Sequence, residues 1–417
     1  MTSDVGAAIE GWGHGQLGDP SDLSAGALCH CADHTGLSVQ SSVTRPGRPY
    51  ALQVAHSSSF NYYMKNPRNV LGDISAAVYH RVDTVPGSDV VTMVLRYYAV
   101  WSRHHGIGIH NGKYATFVQV EANAIVWGAD GPTVVAGEWT RLEAKSDQDG
   151  AFNTTTTGYA GGVALGSSTA VASAASSMDH VLLGNNNSYL GTNTLQNPNS
   201  PTFTEYFSDL FMEQAGTSDG VAHFPVTSGG QPADYQVEFL RPNADGTHVN
   251  GTDFSDDTST SPPNPAWSRL DDNPPTLAGV SDYIRQDTIG STSYIEVSFQ
   301  SLVSPLSPLQ VAVCDIDTSD AAGTYSAAMK VADGANVDTI YSGSQNTGGV
   351  TRFEGNCVWD PGSVNKTPWT RSRVNALKVR LGYSTDVTPK PIWHAVFLQV
   401  VVLVELETDS YWGVLLQ

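Results

Sequence analysis

Short apolar runs, each cut off by turn residues, constrain this chain more than any other feature. Residues 90–100 read VVTMVLRYYAV, nearly continuous in β-branched and aromatic side chains, the pattern of a central strand covered on both faces. Residues 392–406 form an alternating segment. Its period of two puts Trp393, Ala395, Phe397 and Gln399 on one expected face and Ile392, His394, Val396 and Leu398 on the other. Between such runs lie clusters such as GADGPTVVAGE and GNNNSYLGTN, which favour tight turns over helical crossovers. With 40 glycines and 15% charged residues among 417, the chain is expected to be all-β. Its length allows separate cores: an N-terminal domain over 1–220, a linker over 221–235 and a C-terminal domain over 236–417.

Expected strands of the first domain are 50–56, 75–81, 90–100, 115–120, 124–127, 139–144, 181–183 and 204–212. Residues 150–200, rich in Gly, Ser, Thr, Ala and Asn, read as an edge strand with long loops or as an insertion. Two segments carry a family likeness. GEWTRLEAK at 137–145 and EYFSDLFMEQ at 205–214 resemble the entering and closing strands of laminin-G or concanavalin-like jelly rolls. The resemblance implies that Trp139, Phe207 and Phe211 pack between two sheets of an antiparallel β-sandwich. In the second domain, WSRLDDNPPTLAGVSDYI from Trp267 and DPGSVNKTPWTRSRVNALKVRLG from Asp360 resemble segments of tailed-phage virion proteins with lectin-like jelly-roll domains. That likeness implies a second β-sandwich, with Trp369 and residues 374–377 plugging one end. It also implies a place on a virion surface as a head decoration, minor capsid, tail or baseplate protein. Its partners would be other virion proteins, including major capsid or tail proteins, and further copies of itself.

Asp and Glu number 41 against 21 Lys and Arg, a net charge of -20. The summed field repels phosphate backbones and argues against a nucleic-acid partner. The first residues, MTSDVGAAIEGWGHG, lack a basic stretch followed by an apolar one, so no secretory signal is expected. The run at 392–406 is too short and too polar to span a membrane. Cys29 and Cys31, with His14 and His34 nearby, have zinc-binding chemistry but a C-x-C spacing that suits a structural zinc site poorly; buried or free thiols are the competing reading. HHGIGIH at 104–110 reads as a polar strand–turn segment.

Catalytic patterns are not evident. Paired carboxylates of a glycosidase would need a run such as E-x-D-x-x-E, and Glu405–Glu407 is the nearest approach. No nucleophile elbow, zincin helix or P-loop is present, so the chain is expected not to be an enzyme. No cofactor is required on this reading. Oxygen-rich runs offer calcium ligands at Asp271, Asp272, Asp315 and Asp317, or else are solvated turns. An alternative function is host attachment by glycan binding, with Trp101, Trp127, Trp267 and Trp359 as candidate aromatic contacts. A polysaccharide-degrading activity is a third reading.

Overall fold

The computed structural model describes residues 8–10, 30–31, 36–56, 63–65, 74–97, 104–119, 125–148, 153–171, 178–184, 202–214, 224–228, 231–271, 282–303, 307–321, 324–334, 336–346, 352–358, 369–385 and 388–404. Two antiparallel β-sandwiches make up the molecule, the fold class expected from the punctuated apolar runs. In the first, one sheet runs in the order Val163–Ala164, Asn153–Ala160, Thr140–Gln148, Ile74–Val82, Phe203–Gln214, Ala51–His56, Leu37–Gln40. The facing sheet runs Ile125–Trp127, Lys113–Gln119, His104–His110, Val90–Tyr97, Met178–Leu183, Tyr63–Lys65, His30–Cys31. Alternate residues of both, among them Leu52, Val78, Met93, Leu95, Ile107, Leu142 and Phe207, fill the space between them.

The second sandwich pairs a sheet centred on Pro391–Val404 with one ordered Pro242–Asp245, Tyr294–Phe299, Lys378–Gly382, Thr324–Asp333, Asn336–Asn346. Pro391–Val404 is flanked along one edge by Ser307–Ser319. Its other edge is shared end to end by Ile284–Gln286 and Asp234–Leu240. Trp369, Val374 and Leu377 bury themselves in this core, so the plug at 369–377 forms, with residues 371–376 as one short helix. Thr370 caps it, its hydroxyl accepting from the Arg373 N–H at 3.3 Å.

The alternation expected along 392–399 breaks once. Ile316 pairs with Ala395 but Asp317 pairs with Trp393, leaving His394 as an extra residue. A bulge of one residue reverses the facing of everything beyond it. Trp393 therefore lies in the intra-sandwich core with Val396 and Leu398, not with Ala395 and Phe397.

Ala395 and Phe397 look the other way, into a second apolar layer where the two sandwiches meet. Ala77, Tyr79 and Phe211 from the first pack there on Tyr235, Val237, Ala312, Cys314 and Val401 from the second. Phe211 thus packs outside the sheets it was expected to pack between, because the register shifts between Ser208 and Phe211. Trp139 also sits on the junction side. Within 221–235, the stretch read as a linker, Val226 and Ala233 are buried.

Polar groups lock the junction. Asp209, fully buried and with a left-handed φ of 55°, accepts the Val237 N–H at 2.8 Å, the Ser208 hydroxyl at 2.7 Å and the Arg45 guanidinium at 3.0 Å. Tyr235 donates its hydroxyl to the Asp209 carbonyl at 2.7 Å. Arg45 and Arg48 also donate to the carbonyls of Tyr235 and Val237. Replacing Asp209 with Asn tolerates the backbone but strands the Arg45 charge, and a broken buried pair costs about 3 kcal/mol. Urea unfolding of Asp209→Asn is expected to show a loss of that order; an unchanged midpoint would mean the ion pair does not hold the junction.

Candidate functional site

Four residues on the strand Thr140–Gln148 point away from the first core: Arg141, Glu143, Lys145 and Asp147. Leu142 and Ala144 point into it. The row passes from under the second sandwich out to solvent. Arg141 and Glu143 are 5% and 1% exposed, whereas Lys145 and Asp147 side chains are 39% and 40% exposed and pair at 2.7 Å. Arg141 contacts Glu143 through Nε at 2.7 Å and donates from Nη1 to the Ala233 carbonyl. Glu143 takes the Val226 N–H on its other oxygen at 2.7 Å. Burial pushes the Glu143 carboxyl above its ordinary value, against the pull of Arg141.

Where this row emerges, a cavity of about 240 Å³ opens, lined by Glu143, Lys145, Asp147, Thr157, Tyr159 and Phe224 together with Ala144 and Pro225. Thr157 and Tyr159 come from the neighbouring strand, opposite Lys145 and Glu143 in register. Phe224 arrives from the segment between the sandwiches and stacks on Phe211, centroids 5.2 Å apart and planes at 22°. Two aromatic rings, two hydroxyls and a carboxylate–ammonium pair thus converge on a space the scale of a single small ring. That composition is typical of a small-molecule site: an apolar wall with a few placed polar groups.

The residues singled out from sequence fall elsewhere. Trp127 is half-buried, stacked on His110 with centroids at 5.0 Å and packed on Phe117. Trp267 is partly buried on the second sandwich. It opens a short turn of helix, packs against the C-terminal core and donates its backbone N–H to Asp245 at 2.8 Å. Asp315 and Asp317 are likewise not in a turn. They lie on the strand Ser307–Ser319, 0% and 1% exposed, and the Tyr325 hydroxyl donates to Asp317. Their spacing of two points both into one face. The Asp271 carbonyl accepts from Arg241 at 3.2 Å, and burial raises its carboxyl. Trp101, Trp359, Asp272, Cys29, His14, His34 and residues 405–407 lie outside the described residues. HHGIGIH is a strand that runs into a turn at Asn111–Gly112, as expected, but it is not a polar surface segment, since His104 and His105 are buried. Among the described residues no group of three or more His, Cys, Asp or Glu is placed to hold a metal.

Sequence reading passed over the row at 141–147. Its signal was present as charge at every second position of RLEAKSD. A second cluster, also unforeseen, has catalytic residue types but no access. Glu205 is fully buried between His56 at 2.7 Å and His80 at 3.0 Å, and His80 lies 3.1 Å from the Tyr114 hydroxyl. Residues from four strands meet there inside the first sandwich, so the cluster is a core network.

No family model and no curated protein matches the chain. Among solved structures it is similar to an endo-β-1,4-glucuronan lyase from the fungus Trichoderma reesei, at 13% identity over 48% of this chain and 97% of that one, TM-score 0.34. It is similar to the cellulose-induced protein Cip1, at 16% identity over 49% and 96%, TM-score 0.36. A marine alginate lyase from Aplysia kurodai aligns at 7% identity over 42% and 86%, TM-score 0.31. Likenesses this distant concern architecture and assign no reaction to the chain. They do correct one expectation: with lyases among the similar structures, the reading of the chain as a non-enzyme no longer stands.

Glu205 generates a pH prediction. Burial alone would raise its carboxyl, but hydrogen bonds from His56 and His80 hold it at about 2, below the ordinary 4.5. Because the folded value is depressed, the stabilisation is complete above the ordinary value and disappears as pH falls through about 2, a change of about 3 kcal/mol. Unfolding measured between pH 7 and pH 2 should show this loss in the natural chain and not in Glu205→Gln. Equal losses in both would exclude the carboxylate as its source.

Proposed function

We propose that the chain is a saccharide-binding protein and that the cavity at the mouth of the inter-sandwich junction is its sugar site. The observation that carries this reading is the convergence of Lys145, Asp147, Thr157 and Tyr159 beside the ring of Phe224. A pyranose presents hydroxyls around its rim and C–H groups on its faces. The rim can replace water on the Lys145–Asp147 pair and the two hydroxyls while a face lies on Phe224. Lys145 and Asp147 already face each other, so little side-chain order is lost on binding.

The virion-surface role rests on the two C-terminal sequence motifs. Glycan binding at a virus surface would be compatible with it, since attachment needs such a site. Turnover of a bound polysaccharide is a further outcome that the same experiments read.

Titration calorimetry of the full chain against a panel of neutral and amino oligosaccharides tests the proposal, with released reducing ends followed in parallel. Lys145→Ala with Tyr159→Phe is expected to weaken the best ligand by about tenfold or more, the scale of a lost charged hydrogen bond. Binding that survives the double substitution unchanged, or no binding across the panel, would overturn the assignment.

A further inference from the structure

On a chain of net charge -20, the outward face of one C-terminal sheet has the opposite sign. Ile295, Val297, Val379, Leu381, Met329 and Val331 point into the core, so Tyr294, Glu296, Lys378, Arg380 and Lys330 stand on the outer face. Register places Glu296 opposite Arg380, and Arg380 opposite Lys330. Among the described residues, three cations thus share that face with one carboxylate. That carboxylate is already saturated: Glu296 takes Lys378 at 3.1 Å, Arg380 at 2.7 Å and the Thr247 N–H at 2.9 Å.

Lys330 is different. It is half-buried, and among the described residues it has no carboxylate in ion-pair range; its ammonium instead sits 3.7 Å over the ring of Tyr383. Tyr383 stacks on Tyr294 at 5.5 Å, and Arg380 lies 4.7 Å over Tyr294. Cation, ring, ring and cation form one preformed stack. Burial and the neighbouring Arg380 both lower the Lys330 ammonium, as expected for positive charge held there without compensation.

The backbone at Tyr383 is also unusual. Its φ is 60°, and the preceding Gly382 has φ 143°. A Cβ at Gly382 would meet the Ser293 carbonyl at 2.5 Å, so only glycine fits. Non-glycine residues held left-handed gather at binding sites, where the surrounding structure enforces them. Here the enforced turn is what lays Tyr383 between Lys330 and Tyr294.

We propose that this face, built on Lys330, Lys378, Arg380, Tyr294 and Tyr383, is a docking surface for a uronic-acid glycan, separate from the cavity on the first sandwich. Complementarity of sign selects an anion. The overall negative field then selects among anions, because repulsion grows with the partner's charge density. A nucleic acid carries about one charge per 1.7 Å of duplex, whereas a uronan carries one carboxylate per sugar ring. The strands that carry the cations are neighbours, about 4.8 Å apart at the backbone, and the rings of Tyr383 and Tyr294 lie among the charges, an extended arrangement suited to successive sugar rings rather than to one compact anion. Tyrosine hydroxyls and ring edges add contacts to the sugar itself.

The experiment is titration of the full chain with a polygalacturonate oligosaccharide, its methyl-esterified form and duplex DNA. The natural chain should bind the free acid, more weakly as salt rises, and bind the ester at least about tenfold more weakly. Lys330→Ala should lower affinity for the acid about tenfold, and Lys330→Arg should largely restore it. Thermal melting of each variant separates loss of binding from loss of fold. Equal binding of acid and ester, tighter binding of DNA, no binding by the natural chain, or indifference to Lys330→Ala would each overturn the proposal. A loss confined to the Lys145 and Tyr159 variant would place the acid in the cavity instead.

Discussion

Each sandwich has two outer sheet faces, and the first cannot leave Ala77, Tyr79 and Phe211 exposed on one of them without cost. Docking of the second sandwich covers that face, and the rest of the molecule follows from it. An apolar contact alone is non-directional and would permit sliding. Asp209 removes that freedom by accepting from a side chain of its own sandwich and from the Val237 backbone of the other. Its left-handed backbone lies where the register of Phe203–Gln214 shifts. The irregularity that turns Phe211 outward is thus also the one that presents the locking carboxylate. Because the junction is fixed, Phe224 is brought against a charged strand of the first sandwich, and the cavity exists.

Buried charge divides by what surrounds it. Glu205 is satisfied by two histidines in a sealed core. Asp209 is satisfied by an arginine and backbone at the junction, and Glu296 by two cations and backbone on an open face. In each case the carboxylate is compensated, as burial demands. Lys145 and Asp147 are exposed enough to exchange each other for a ligand, and among the described residues Lys330 meets an aromatic face rather than a carboxylate. Residue type alone would rank the His–Glu–His cluster first for chemistry; access reverses that order.

Strands were legible because their signal is local. Runs such as 51–56, 74–82 and 90–97 carry β-branched or alternating apolar residues and end at turn formers. The charged row at 141–147 was equally legible in period, yet nothing nearby in sequence says that Tyr159 lies beside it or that Phe224 closes it. Asp315 and Asp317 looked like turn acids because their composition is polar; their burial depends on Tyr325 and on strands distant in sequence. Trp267 stood out as an aromatic side chain, but its backbone contact with Asp245 and the core under it come from segments that its own stretch of sequence does not name.

By itself the sequence determined an all-β chain, the positions of the strands with strong apolar runs, and the sign of the long-range field, since each depends on residue type and on spacing within one segment. Tertiary structure alone decided which outward faces are covered, where one inserted residue at His394 reverses a strand's facing, and which charges meet. Sheet pairing joins residues far apart along the chain, and a side chain's accessibility belongs to the packed assembly rather than to its neighbours in sequence.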